Sequence, residues 1–387
     1  MPLELAEFNL SEEHLEFRDT LRRFFEEHAP IAEVRRVLDG DGAGLSRELW
    51  QLASEELGLA GIAISESDGG QGFGRKELGL ALGEVGRCLA PIPLLASAGL
   101  AAPVVAAVGG DAAGEWLEPI ALGQAATLAW VGEDGGWDPA SVTLEAAGQG
   151  TERRLSGERH FVLGGAAAQR VFVIAREPES AGEEGVGLFA VEVSDPAVEL
   201  VRRESLDVTR PLWTLRLNDA PARRVGGGAT DIEKVRAGLS EATALLCSEM
   251  VGGMRRVLET AIDYAAERHQ FSRPIGSFQT IKHKCADLLI DYESARTTAD
   301  GALVALDEGD PEAMLLASIA KAHIGPAYVR MATESGQIQG GVGYTWEYDA
   351  HLYFRRAMAS KALLGDETVH QERLTEWVAQ RLEAGAA

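Results

Sequence analysis

The spacing of hydrophobic residues in this 387-residue chain changes twice along its length, and this constrains the fold more than any other feature. Up to residue 121, apolar residues recur at helical spacing, and Ser11 is placed to cap the first helix. Strand-like runs follow, and helical spacing then returns. The order predicts an α+β multidomain fold with an N-terminal α-helical domain (1–121), a middle antiparallel β domain (122–228) and a C-terminal four-helix bundle (229–387).

The middle domain is predicted from four short runs separated by Gly, Pro and Asp turns: LSGERHFVL, RVFVIAR, GVGLFAVEV and LWTLRLND. Because no helical period intervenes between these runs, we expect them to pair as antiparallel strands. Beyond them, one apolar stripe predicts a helix of some eight turns. Its members are Leu239, Ala242, Leu246, Met250, Met254, Val257 and Ala261.

Composition excludes several classes of protein. A hydrophobic content of 46% with 25% charged residues is typical of globular chains. The formal net charge of −24 argues against a nucleic-acid partner, since phosphate binding requires clustered Lys and Arg. The histidines and cysteines lack metal-ligand spacing, so no metal site is expected. Three widely separated cysteines in apolar surroundings favour reduced thiols in a cytoplasmic protein.

One uncharged segment, residues 89–110, is long enough to cross a bilayer. It is rich in Ala and Gly, however, and Pro91, Pro93 and Pro103 interrupt it. This composition favours a buried helix, so we expect no membrane association. The N-terminus shows no basic and then apolar leader, so we expect no secretion signal.

Two C-terminal blocks carry the residues best suited to bind a ligand. YAAERHQFSRPIGSFQ, residues 264–279, ends one long helix and begins the next. SGQIQGGVGYTWEYDAHLYFRRA, residues 335–357, contains a glycine turn between two helices. Both blocks place cationic, amide and unobstructed backbone groups at helix ends, where a phosphate could be held.

In their order and position these blocks resemble the acyl-CoA dehydrogenase family of flavoproteins, especially actinobacterial members that act in sterol side-chain and acyl-CoA breakdown. The resemblance covers nearly the whole chain. It implies an FAD cofactor, an acyl-CoA substrate, a tetramer and an electron-transfer flavoprotein as the electron acceptor. In this family one subunit's β domain holds the flavin ring, and the neighbouring subunit's bundle holds the adenine and pyrophosphate.

Six positions match family residues that contact the neighbour's FAD: Arg268, Phe271, Gln279, Gln337, Gly340 and Gly341. The arginine matches the one that meets the pyrophosphate, and its planar fork suits a diphosphate. The two glycines would let backbone N–H groups approach closely. The residues alone leave alternatives open, in which Arg268 pairs with Glu267 on the surface, Phe271 packs in the bundle core, and the glycines form only a helix C-cap.

The flavin-ring side departs from the family pattern. WVGEDGGWD, residues 130–138, stands where the family has TEP-x-x-GSD, and Gly132 replaces a threonine. The run from His160 to Leu163 stands where the family has Trp-Ile-Thr, so a second threonine is absent. These hydroxyl groups bind and tune the flavin ring in the family. The resemblance therefore predicts a degraded ring pocket in this chain.

The catalytic base of the family is displaced as well. Of the two positions where the family places its glutamate, one is Leu364 here and the other is Ala242. Glu241 is one residue away, a rotation of about 100° around the helix. Glu241 is therefore the candidate base, Glu249 a further candidate, and a solvated or capping carboxylate the alternative.

This asymmetry favours a subunit of an α2β2 enzyme that contributes the FAD dinucleotide cradle to a second chain carrying the ring pocket and the base. Two other hypotheses stay open. The chain could form a self-sufficient homotetramer with Glu241 as base. It could also be a non-catalytic acyl-CoA-binding or scaffolding protein.

Overall fold

The computed structural model describes residues 10–40, 43–227 and 231–385. It groups the chain into two compact units. The helical unit comprises residues 1–35, 79–90 and 243–387, and the sheet unit comprises residues 36–78 and 91–242. The predicted boundary between residues 228 and 229 lies outside the described residues, and the three domain ranges stay predictions.

The N-terminal third is helical, as predicted. Ser11 caps the first helix, since its Oγ accepts a hydrogen bond from the backbone N–H of His14 at 3.3 Å. A π-helical turn, Ser97–Ala101, joins the fifth and sixth helices. The helices are α1 (Glu12–His28), α2 (Ile31–Leu38), α3 (Arg47–Glu56), α4 (Arg75–Cys88), α5 (Leu94–Ala96), α6 (Ala102–Gly109) and α7 (Gly114–Ala121).

The apolar segment predicted to be a buried helix forms the span Leu94–Ala112. By length and composition alone this span could cross a bilayer, but 78% of its apolar window is buried inside the protein.

The sheet unit contains a seven-stranded sheet in the order β1-β4-β5-β7-β3-β2, with β6 paired to β7. The four predicted runs form β3, β4, β5 and β7, so these strands are confirmed. The strands are β1 (Ala126–Ala129), β2 (Ala146–Ala147), β3 (Glu152–Leu163), β4 (Arg170–Arg176), β5 (Val186–Glu192), β6 (Val198–Arg202) and β7 (Leu212–Val225).

The prediction of a purely antiparallel sheet is wrong at one edge. Strand β1 pairs with β4 in parallel, with Ala126 opposite Arg170. Between these strands the chain passes through β2 and β3 on the other side of the sheet, and this long crossover permits parallel pairing. All four residues of β1 are buried, so the strand lacks the alternation that marks a half-exposed strand in a sequence.

The C-terminal region is a helical bundle, as predicted. Helix α10 packs against α9, α11 and α12, and six of the seven predicted stripe residues of α8 are buried. A short hairpin, β8 (His269–Gln270) and β9 (Arg273–Pro274), follows α8. The helices are α8 (Ile232–Glu267), α9 (Gln279–Asp307), α10 (Ala313–Gln339), α11 (Ala350–Ala362) and α12 (Glu367–Gly385).

Glycines let α4 and α8 cross in backbone contact within the helical unit. A Cβ placed on Gly252 of α8 would lie 1.7 Å from the carbonyl oxygen of Gly83 on α4. A Cβ on Gly86 would lie 2.0 Å from the carbonyl oxygen of Glu249. No side chain fits at either point, so these glycines set the distance between the two helices.

Candidate functional site

The first predicted cradle block forms the end of α8 and the hairpin beyond it. Arg268 lies at the base of the hairpin, where its carbonyl oxygen accepts a hydrogen bond from the N–H of Ile275 at 2.7 Å. Phe271 and Ser272 form the two-residue tip, and both adopt left-handed backbone conformations with φ of 53° and 61°. Such values suit a tight hairpin turn but strain residues other than glycine. The strained tip holds the Phe271 side chain out from the bundle.

The candidate side chains of this block face solvent. Arg268 is exposed and has no ion-pair partner among the residues that the structure describes, so the alternative in which it pairs with Glu267 is not observed. Phe271 is 88% exposed, so the alternative in which it packs in the bundle core is wrong. Gln279, the first residue of α9, is also exposed. Sequence spacing could place these residues but not determine their exposure.

The second block forms the C-terminus of α10. Gly340 ends the helix with φ of 68°, and its N–H donates to the carbonyl oxygens of Gly336 and Gln337, so it does act as a C-cap. A Cβ placed on Gly340 or on Gly341 would meet no atom within 4 Å. The backbone of this turn is therefore open to a ligand, and Gln337 beside it is exposed. The C-cap and the predicted cofactor contact are compatible roles.

The two blocks lie at the same end of the helical unit. Gly253 of α8 lies against Tyr328 of α10, and four residues further the carbonyl oxygen of Val257 accepts a hydrogen bond from Ser335 Oγ at 3.3 Å. The two helices therefore run in the same direction. From this contact α8 continues for about 15 Å and α10 for about 6 Å, at 1.5 Å per residue. Their C-termini, which carry the hairpin and the glycine turn, therefore point the same way.

In the sheet unit, the two segments predicted to form the ring side contain aromatic side chains that contact one another. Trp137 contacts Trp130 and Phe161, with ring centroids 5.4 and 6.5 Å apart. The guanidinium of Arg203 lies 5.0 Å from the Phe161 ring centroid. Phe161 occupies a β-bulge in β3 and has φ of 57°, and such a bulge re-aims the side chain it carries.

A buried histidine lies beside this aromatic cluster. Arg203 Nη1 donates to His160 Nδ1 at 2.7 Å and to Thr214 Oγ1 at 3.1 Å. Burial, and then the charge of Arg203, lower the pKa of His160. Because a guanidinium can only donate, His160 Nδ1 is the acceptor of this hydrogen bond. The arrangement holds Arg203 in place over Phe161.

Both candidate bases are held in ion pairs. In the sheet unit, Arg75 Nη2 donates to Glu241 Oε2 at 3.2 Å, and the glutamate side chain is 15% exposed. In the helical unit, Arg356 Nη1 donates to Glu249 Oε1 at 2.5 Å, and both side chains are buried. A carboxylate held by a guanidinium has fewer free oxygen lone pairs to direct at a substrate. Neither glutamate is thus a free base.

The other position predicted to correspond to a family base, Leu364, lies in an apolar turn in the helical unit. Leu364 is buried and has φ of 61°. His370 Nε2 donates to its carbonyl oxygen at 3.2 Å. The fully buried Lys321 donates to the carbonyl oxygens of Lys361 and Gly365 at 2.7 and 2.6 Å. Basic side chains therefore hold this turn in place through its carbonyl oxygens. Position 364 itself is a leucine and carries no carboxylate.

Sequence reasoning missed Arg75, Arg203, Lys321 and His370. Only the lysine left a signal, because it interrupts the buried run of Ala317, Ala320 and Ile324 in α10. A lysine at a core position requires backbone or acidic partners. The two arginines act through partners distant in sequence, so no local pattern marks them.

Comparison with known proteins establishes the family of the chain. Residues 11–124 match the family description "Acyl-CoA dehydrogenase, N-terminal domain", and residues 233–379 match "Acyl-CoA dehydrogenase, C-terminal domain". The acyl-CoA dehydrogenase IpdE2 of Mycolicibacterium smegmatis is 30% identical over 366 residues, which cover 94% of this chain and 98% of that protein. The chain belongs to the acyl-CoA dehydrogenase family. It is thus a family oxidoreductase of the actinobacterial type, as the resemblance predicted.

Two solved structures extend this acyl-CoA dehydrogenase relationship to the fold. A chain of the ChsE4–ChsE5 complex from Mycobacterium tuberculosis has a TM-score of 0.85 and 28% identity, and the match covers 97% of this chain and 99% of that chain. A chain of the Tcur3481–Tcur3483 steroid acyl-CoA dehydrogenase has a TM-score of 0.86 and 28% identity, with the same coverage of both chains. Both structures are named as pairs of proteins.

Proposed function

We propose that this chain is a subunit of an FAD-dependent acyl-CoA dehydrogenase that desaturates an acyl-CoA thioester between its α and β carbons. Its part is to supply the FAD dinucleotide cradle to a second chain that carries the ring pocket and the catalytic base. The observation that carries the proposal is the contrast between the exposed cradle residues in the helical unit and the ring-side segments in the sheet unit, which carry contacting aromatic side chains where the family has hydroxyl groups.

The cradle residues fit a dinucleotide. Arg268 is exposed and unpaired within the described chain, so its donors are available to a diphosphate. Gly340 and Gly341 leave open space above the backbone. Phe271, at 88% exposure, provides an apolar surface for the cofactor's edge. Bound FAD would supply the hydride acceptor for the reaction, and this chain's residues would bind and orient it.

The predicted ring-side and base positions of this chain lack groups that acyl-CoA dehydrogenation requires. Gly132 and Leu163 carry no hydroxyl, and Trp137 packs beside Phe161. Leu364 cannot accept a proton, and Glu241 is bound to Arg75. Proton abstraction from the α carbon needs an available carboxylate near the substrate. We therefore assign this step to the partner chain.

The names of the two solved relatives support a hetero-oligomeric assembly, since each is a pair of proteins. We propose a heterotetramer that acts in the cytoplasm and passes its electrons to an electron-transfer flavoprotein. One of these relatives is named a steroid acyl-CoA dehydrogenase, which favours a sterol-derived or similar bulky acyl group. Lipid or sterol catabolism is the corresponding process.

The test is to purify this chain alone and together with a second acyl-CoA dehydrogenase chain of the same organism that carries the ring-side threonines and a base, and to measure bound FAD per subunit by absorbance. We expect no flavin on the lone chain and one flavin per two chains in the co-expressed complex. One flavin per chain in the lone protein would overturn the split-site proposal. No flavin in either preparation would favour the non-catalytic acyl-CoA-binding or scaffolding function.

One observation favours the self-sufficient homotetramer as a second candidate. Glu241 and Arg75 lie in the wall of a cavity of about 470 Å³ in the sheet unit, together with the exposed Phe73. If Glu241 is the base there, Glu241→Gln should abolish acyl-CoA oxidation by the lone, flavin-loaded chain. Retained activity in that variant would exclude this candidate.

A further inference from the structure

A second cavity lies within the helical unit, and neither the proposed cradle nor the proposed chemistry uses it. Its volume is about 460 Å³, within the range of small-molecule sites. Helices α1, α8 and α10 supply the apolar part of its wall, which includes Phe25, Val257 and Ala332. Arg256 of α8 and Gln339 of α10 are polar residues that line the same cavity.

Among the charged side chains around this cavity, Arg256 has the weakest ion pairing. The two acids in the wall have their own partners, since Asp349 accepts from Arg35 at 2.8 Å and Glu26 from Arg87 at 3.3 Å. Glu259 accepts hydrogen bonds from Arg87 and Arg255 at 3.2 and 3.1 Å.

Arg256 approaches Glu259 only to 3.9 Å, and its side chain is 43% exposed. Its donors are therefore available to an anion within the cavity.

Gln339 supplies an unsatisfied acceptor. Its side chain is 3% exposed, and its Nε2 donates to Ser335 Oγ at 3.3 Å. Its Oε1 is buried and has no hydrogen-bond partner among the described residues. A buried amide oxygen without a donor is costly. The oxygen is closed to solvent in this structure, so a ligand hydroxyl reaches it when the Gln339 amide rotates into the cavity. Because α8 and α10 are in contact at Val257 and Ser335, one small molecule can span both groups.

We propose that this cavity binds a small hydroxycarboxylate with an apolar body. The carboxylate pairs with Arg256, the hydroxyl donates to Gln339 Oε1, and the apolar body packs against Phe25, Val257 and Ala332. The site is distinct from the proposed cradle, although Gln339 directly precedes Gly340. The inference does not depend on the proposed function, since it concerns a different set of contacts.

The test is calorimetric titration of the full-length protein with three matched probes: 4-hydroxybenzoate, benzoate and 4-hydroxybenzamide. We expect 4-hydroxybenzoate to bind at one site per chain. Removing the hydroxyl should weaken binding roughly two- to tenfold, as for one neutral hydrogen bond. Removing the charge should weaken it about tenfold or more, as for a charge-assisted bond.

Variants of the protein show which residue causes each loss of binding affinity. Arg256→Gln should weaken both carboxylates about tenfold or more, and Gln339→Leu should make 4-hydroxybenzoate and benzoate bind equally. Ala332→Met should fill the cavity and abolish binding. Arg154→Gln, which alters an arginine 54% exposed on β3, is the matched control and should bind as the wild type does.

Thermal melting of each variant establishes that it is folded before titration. Absence of binding by the wild type at concentrations on the order of millimolar would overturn the proposal. Binding that survives unchanged in folded Arg256→Gln and Ala332→Met would overturn it as well, because the probe would then occupy another site.

Discussion

At the scale of single residues, His370 couples the buried turn at Leu364 to pH. Burial, followed by the charges of Arg373 and Lys321, lowers the pKa of His370 to about 3. In the unfolded chain an imidazole titrates near 6.5. Between these values the unfolded chain binds a proton that the native chain does not. The contribution of His370 is therefore complete above pH 6.5 and falls as the pH is lowered, by about 1.4 kcal/mol per unit.

We expect the free energy of unfolding to fall between pH 6.5 and pH 5 by about 2 kcal/mol more in the wild type than in His370→Gln. Urea unfolding at both pH values measures the difference. His323→Gln, which alters a partly exposed histidine on the same helix as Lys321, should keep the wild-type drop. An equal decrease in the free energy of unfolding in His370→Gln and the wild type would show that the His370 imidazole is protonated as easily in the native state as in the unfolded chain.

At the scale of secondary-structure elements, the α4–α8 crossing depends on glycine. A Cβ at Gly252 would lie 1.7 Å from the Gly83 carbonyl oxygen, and both groups belong to helix backbones that cannot turn aside. Gly252→Ala must therefore separate the helices and disturb the packing on both sides. We expect a loss of about 3 kcal/mol in the free energy of unfolding, at the upper end of overpacking costs. Denaturant unfolding measures it.

Gly301 provides the matched control. It lies inside α9, and a Cβ there would meet no atom within 4 Å. Gly301→Ala should raise the free energy of unfolding by about 1 kcal/mol, because alanine favours the helix. Because the two substitutions should change the free energy of unfolding in opposite directions, the comparison distinguishes a packing effect from an effect of helix propensity. A stabilised Gly252→Ala would mean that the two helices are not in backbone contact.

Elements with strong periodicity were predictable from the sequence, and contacts between distant segments were not. The apolar stripe of α8 and the four long strands follow from side-chain spacing. Strand β1 was missed as a parallel partner of β4 because its residues are all buried. The positions of the cradle residues followed from their blocks. The pairing of Arg75 with Glu241 joins residues 166 positions apart, so only the fold brings them together.

At the scale of the whole molecule, the split-site proposal predicts that two substitutions in this chain act differently in the complex with its partner. Arg268→Gln removes the exposed guanidinium proposed to meet the diphosphate. Loss of a charge-assisted contact corresponds to roughly 10- to 100-fold weaker binding of FAD. We expect lower flavin content and lower acyl-CoA turnover in that complex, with turnover restored as FAD is added.

Glu241→Gln should leave both quantities unchanged in the same complex, because glutamine can still accept a hydrogen bond from Arg75 and the partner supplies the base. Arg330→Gln is the control for removal of a charge, since this arginine is 53% exposed and pairs with Asp291 at 2.8 Å on the helical unit. Flavin absorbance and a turnover assay with an artificial electron acceptor measure each complex. Full flavin retention in Arg268→Gln would contradict the cradle, and loss of turnover in Glu241→Gln would move the base into this chain.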